Sequence, residues 1–168
     1  MKYIIFIIIA LAPISSTSKC LAQDSLINVF RWYIPEDKQY AIVAQNEYND
    51  KQLLNWGWTD KTLLFTAYRN PRPGRVAVNG WLNPVSRVHL SVCSDEFTDV
   101  QMLKDGYTQK HLQFYALTHR DINTIPVFRW LLPMRHSWIT VAGDGDSYTG
   151  RGYHHKSFQY YAVAATSK

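Results

Sequence analysis

Apolar and polar residues alternate along most of this chain, and the alternating stretches recur at a fixed distance. "VFRWYIP" (Val29–Pro35) returns as "VFRWLLP" (Val127–Pro133) ninety-eight residues later. A shift of 49 residues lays Val29–Tyr68 on Val78–Leu117 without a gap, and fourteen of the 40 pairs are identical. Ordinary composition gives about two or three. The matches include Trp32/Trp81, Pro35/Pro84, Glu47/Glu96, Gly57/Gly106 and Phe65/Phe114. A second shift of 49 aligns Val127, Trp130, Pro133 and Val141. Three residues are then lost before Gly152, Phe158, Tyr160 and Ala162 rejoin. The chain reads as three repeats, 29–68, 78–117 and 127–163.

Each repeat predicts the same elements. A strand carries Val-x-x-Trp and stops at a proline, which cannot continue a ladder. A polar turn follows, Glu36-Asp37-Lys38 or Val85-Ser86-Arg87. In the second strand Ala41 and Val43, Leu90 and Val92, and Ile139 and Val141 share one face, assigned to the core. A short helix comes next. Thr98 and Gln101 form a capping-box pattern, Phe97 and Met102 a hydrophobic staple, and Gly106 the terminating glycine. Asn49, Gln52, Tyr48, Leu53 and Gly57 repeat it. A third strand closes each repeat, at Leu63–Tyr68, Leu112–Leu117 and Phe158–Val163. The third repeat carries four glycines between positions 143 and 152, which argue against a helix there. One such unit cannot bury its apolar face alone, whereas three can bury one another. The expected fold is β-rich (α+β): three strand–strand–short helix–strand repeats in one domain of approximate threefold symmetry, trefoil-like or propeller-like.

The N-terminus changes the setting. Lys2, an apolar run from Tyr3 to Leu11 and Cys20-Leu21-Ala22 fit a secretory signal peptide over residues 1–22. The apolar run is too short for a spanning helix, which needs roughly 20 residues. The expected mature chain, 23–168, is therefore secreted, into the periplasm or the extracellular space. Loss of Lys2 and Lys19 lowers the net charge from +5 to +3, a weak basic balance that points to no nucleic acid. Cys93 is left as the one cysteine, so no internal disulfide forms.

Candidate chemistry follows from the repeat. Trp32, Trp81 and Trp130 hold one position in all three units. Tyr40, His89 and Trp138 hold another, on the strand face opposite the assigned core. A sugar presents an apolar face that stacks on aromatic rings, and its hydroxyls need polar partners at the rim. Trp81 with Asn79, Asn83 and His89 offers that mixture. Recurrence in every unit favours packing for the three tryptophans. Arg31 and Arg129 either grip an anionic ligand bidentately or pair with Glu47 or a neighbouring carboxylate, and the second reading is favoured. The loop Asp144–Gly150 has two carboxylates and no closing glutamate, so it reads as a turn and not a metal site. No histidine spacing fits zinc, and no cofactor is indicated. Cys93 aligns with Ala44 and Ala142, which marks a small buried position and not a nucleophile. No Gly-x-Ser-x-Gly occurs. Arg69–Arg75 reads as a solvated, proline-stiffened linker.

The order of these motifs resembles a secreted repeat domain of unknown function, the DUF5648 family. Its units read Tyr-Arg-x-Tyr-Asn-Pro, then His-Phe-Tyr-Thr, Glu, Gly-Trp/Tyr and Ala-Phe-Tyr. Arg31, Arg129, Tyr33, Asn83, Pro84, His89, Glu47 and Glu96 match. So do Gly57-Trp58, Gly106-Tyr107 and Gly152-Tyr153. Gly80 stands in place of the arginine in the second repeat, and Gly145 in place of the glutamate in the third. Tyr40 and Trp138 replace the histidine. The resemblance implies attachment to glycans or cell walls, since such domains are often joined to secreted hydrolases.

The sequence thus supports a secreted, non-catalytic binding domain. Its expected ligand is a glycan or cell-envelope polysaccharide, held by Trp81, Asn83, His89, Trp138, Tyr40, Arg31 and Arg129. A secreted protein-interaction module, inhibitor or effector, is the alternative, and a hydrolase ranks behind both.

Overall fold

A computed structural model describes residues 24–135, 137–143 and 146–165. The expected leader, 1–22, lies outside these residues, as do Asp144 and Gly145. The chain begins β1 (Leu26–Ile34), β2 (Gln39–Ala44), α1 (Asp50–Asn55) and β3 (Thr59–Tyr68). It continues β4 (Arg75–Leu82), β5 (His89–Cys93), α2 (Asp99–Lys104) and β6 (Thr108–Leu117). The last trio is β7 (Thr124–Leu132), β8 (Ser137–Ala142) and β9 (His154–Ala164), with 3-10 turns at Pro133–Arg135 and Asp146–Arg151. All nine strands pair antiparallel in one hydrogen-bonded sheet, in the order β2-β1-β3-β6-β9-β7-β8, with β4 on β6 and β5 on β4.

Within each trio the first strand is central, between the second and the third. The trios then join through their third strands. Tyr68 lies opposite Tyr115, Leu117 opposite Tyr161, and Thr66 opposite Val163. Between these strands Phe65, Phe114 and Tyr160 pack edge to face, with ring centroids 5.8, 6.0 and 5.9 Å apart. Val29, Val78, Val127, Ala44 and Cys93 complete this central core. Each trio also has a core of its own on the other face of its sheet. Trp32, Ala41, Val43, Leu53 and Trp58 form the first; Trp81, Leu90, Val92 and Met102 the second; Trp130, Ile139 and Val141 the third. The odd spacing of Val29 and Trp32 sends them to opposite faces, one into each core. All three recurrent tryptophans are buried.

The first strands start three residues earlier than the alternation suggests, at Leu26, Arg75 and Thr124. The added residues pair with the ends of β3, β6 and β9, and they bury Ile27 and Val76. The connection after β3 is not simply solvated. Asp24 bridges Arg72 at 3.1 Å and Arg75 at 2.8 Å, and Arg75 stacks on Tyr68. Both expected capping boxes form. Gly57 and Gly106 take φ of +82° and +83° and end their helices. The glycine-rich stretch has no α-helix, as its glycines imply, and makes a 3-10 turn over Asp146–Arg151. Gly152, at φ +83°, ends it, with Tyr153 N–H donating to the Tyr148 carbonyl. A glycine just past a helical turn terminates it at little cost, and a plain count of glycines misses that role.

Candidate functional site

Three junctions separate the trios, and an arginine position on the first strand of each trio marks them. Between the second and third trios, Arg129 is buried and pairs with Glu96. Its Nη1 donates to the Ser91 carbonyl at 3.3 Å, and its guanidinium lies 4.9 Å from the Trp138 ring and 5.8 Å from Phe97. Between the third and first trios, Arg31 donates to the Tyr148 hydroxyl at 3.1 Å and stacks 5.2 Å from Tyr40. Tyr40 and Trp138 lean across these junctions onto the neighbouring trio's core.

The junction between the first and second trios differs. Gly80 stands where the arginine would be. His111 turns into the space: a Cβ at Gly80 would meet its ring carbon at 2.5 Å. The His111 Nε2 lies 2.5 Å from the Glu47 carboxylate. His89, smaller than Trp138, meets Trp58 edge to face at 5.0 Å. What remains is a cavity of about 560 Å³. Tyr48, Trp56, Trp58 and Trp81 supply apolar walls; Glu47, His89, His111 and Gln113 supply polar groups. This combination of aromatic walls and a few polar groups is what ligand sites share. Trp56 is half exposed, and it packs against Tyr48 and Trp58. The helix and its Schellman-type end position these rings: Trp58 N–H donates to the Leu53 carbonyl at 3.0 Å, which fixes the turn between Trp56 and Trp58.

The polar floor is tightly wired. The Glu47 carboxylate accepts from Ala44 N–H, His111 and Gln113. Gln113 also donates to the Ile42 carbonyl at 3.1 Å. The bond to Glu47 raises the His111 pKa, against a smaller opposing effect of burial. Burial lowers that of His89, with Asp37 opposing. At the mouth Arg87 binds Glu36 at 2.7 and 3.1 Å and approaches Asp37 at 3.5 Å. The Arg87 hydrogen bond holds the Glu36 carboxyl below its usual range.

Of the seven residues picked from sequence, Trp81 and His89 line this cavity. Tyr40, Arg31, Trp138 and Arg129 belong to the other two junctions. Asn83 braces a turn: its Oδ1 accepts from Val85 and Ser86 N–H at 3.0 Å, and its Nδ2 donates to the Asp105 carbonyl at 3.2 Å. Sequence reasoning passed over Tyr48, Trp56, Trp58, Glu47, His111 and Gln113 as one site. The signal was the break at Gly80 in an otherwise arginine position. Cys93 is buried, its thiol pushed up to about 12 by burial, so thiolate chemistry at neutral pH is closed to it. Among the described residues no group of three His, Cys, Asp or Glu is arranged to hold a metal. No helix among them is long and apolar enough to cross a membrane.

A family model described as "Domain of unknown function (DUF5648)" matches residues 28–163. No curated protein and no solved structure matches the chain.

Proposed function

The chain belongs to the DUF5648 family, of unknown function, and from its own cavity we propose that it is a secreted, non-catalytic binding domain for a glycan or cell-envelope polysaccharide. The observation that carries this reading is the cavity at the first junction, with Trp56 half exposed at its rim and His89, His111 and Gln113 within. A sugar ring stacks on such a ring plane while its hydroxyls reach the polar floor. We read the three trios as repeats about a shared axis through Phe65, Phe114 and Tyr160, so that one of three like junctions has become the site.

A second reading, a protein-interaction module, draws on a different observation: the cavity stands where a buried arginine is missing.

The test of the glycan reading is a polysaccharide panel on purified 23–168, read by tryptophan fluorescence. A saturating change with a neutral glycan, lost in Trp56→Ala and weakened in His89→Ala, is expected. Silence across the panel, from a protein that still unfolds cooperatively on heating, would overturn it.

A further inference from the structure

The cavity can be compared with the filled junction beside it. At that junction a guanidinium is held by three things: the Glu96 carboxylate, the Ser91 carbonyl, and the flanking rings of Trp138 and Phe97. Forty-nine residues earlier in the chain, the same positions hold Glu47, Ile42, His89 and Tyr48. Glu47, Ile42, His89 and Tyr48 all line the cavity. The acceptors and rings that receive Arg129 therefore have counterparts at the first junction, where no arginine stands and Gln113 donates instead to the Ile42 carbonyl at 3.1 Å and to Glu47. His111 is a substitute for it. Its ring covers Gly80 and its Nε2 meets Glu47, yet its side chain is 42% exposed, where that of Arg129 is 3% exposed. The Glu47 side chain is buried at 6% exposure, so the His111 end of the pair is the one that water partly screens. A guanidinium makes two directed, charge-assisted bonds and stacks on rings as well.

We propose that this vacated arginine position is a receptor for a guanidinium carried by the ligand, either an arginine side chain or a small guanidino compound. The ligand's guanidinium takes the Glu47 carboxylate and displaces His111 towards solvent. The inference rests on the cavity being a ligand site, but not on the ligand being a glycan. Glu47 faces His111 from the loop after β2, the Gln109 carbonyl from its own strand, and His89 from β5, with Arg87 and Asp37 at the mouth. Among these His111 is the titrating competitor for Glu47, beside the uncharged donors Gln113 and Ala44 N–H, and its proton strengthens its hold. Binding therefore tightens as the pH rises through the elevated His111 pKa.

The experiment is a calorimetric titration with N-acetyl-arginine methylamide and with its neutral citrulline counterpart. The His111 imidazole signals are followed by NMR. Binding of the arginine compound at least about tenfold tighter than citrulline is expected, with the His111 signals moving to those of an unpaired ring. Gly80→Arg/His111→Ser places a guanidinium in the site from within and abolishes the binding. His111→Ser alone removes the competitor and strengthens it, which keeps the test decisive if the double variant does not fold. Methylguanidinium and free arginine binding as well as the blocked compound assigns a small guanidino ligand. Preference for arginine within a peptide assigns a partner protein. Equal binding of citrulline, or unchanged binding in Glu47→Gln, overturns the inference. Neutral glycan binding that persists beside such a result would leave the glycan reading intact.

Discussion

His89 and His111 share one cavity, and their pKa values are shifted in opposite directions. The folded pKa of His111 lies above its unfolded value of 6.5. Its contribution to stability is fully present below that value and is lost as the pH rises through the folded pKa. For His89 the folded pKa lies below 6.5, because burial penalises its charged form. Its contribution is intact above 6.5 and erodes as the pH falls towards the folded pKa. Thermal midpoints recorded from about pH 5 to 8 separate the two. His111→Gln flattens the fall on the alkaline side, and His89→Phe flattens the fall on the acid side. A His111→Gln profile parallel to the parent would refute this assignment. Sequence found His89 because it repeats a position shared with Tyr40 and Trp138. It could not find His111, whose partner Glu47 lies 64 residues away, on a different trio.

Helices α1 and α2 have six residues each, too few to persist without their ends and their packing. Their caps were legible because the signals are local. Asn49 and Gln52, and Thr98 and Gln101, make the reciprocal bonds that the spacing implies. The third trio was harder to read, since its glycines suggest only that a helix is broken. There Gly152 closes a 3-10 turn, and the partly buried Tyr148, in contact with Trp130 and Tyr153, holds it against the core. The two terminating glycines of α1 and α2 differ in what surrounds them. A Cβ on Gly57 meets nothing within 4 Å, whereas one on Gly106 comes within 3.1 Å of Asn83 Nδ2. Both require the left-handed region, which costs an L-residue about 1–2 kcal/mol. Gly106→Ala is therefore more destabilising than Gly57→Ala in urea unfolding. Thr98→Ala loses about 1 kcal/mol. Equal midpoints for the two glycine variants would show that Asn83 yields without cost.

The whole molecule depends on how the trios hold one another. Alternation placed Ala41 and Val43, Leu90 and Val92, and Ile139 and Val141 in cores, but it assigned one face alone to the core, whereas Ile42, Ala44 and Cys93 on the opposite face pack into the central one. It carries no information about which trio lies against which, so it left Arg129 to pair with Glu47 or another carboxylate. The fold gives it Glu96, from the preceding trio. Removing one partner of a buried pair strands the other, so Arg129→Ala costs about 3 kcal/mol. Arg31 bonds a neutral hydroxyl and is less buried, so Arg31→Ala costs about 1 kcal/mol. Chemical denaturation of both variants checks the ranking, and a reversal would place the stronger brace at the Tyr148 junction. Gly80 has a meaning at this scale too. Two junctions are occupied with keeping the molecule whole, and their side chains are committed to that task. The third is braced as well, by His111 and Gln113 on Glu47 and by Arg87 on Glu36, yet the omission of one side chain leaves an opening beside those bonds. On the binding reading proposed above, the residues around that opening can diverge while the framework around them stays the same.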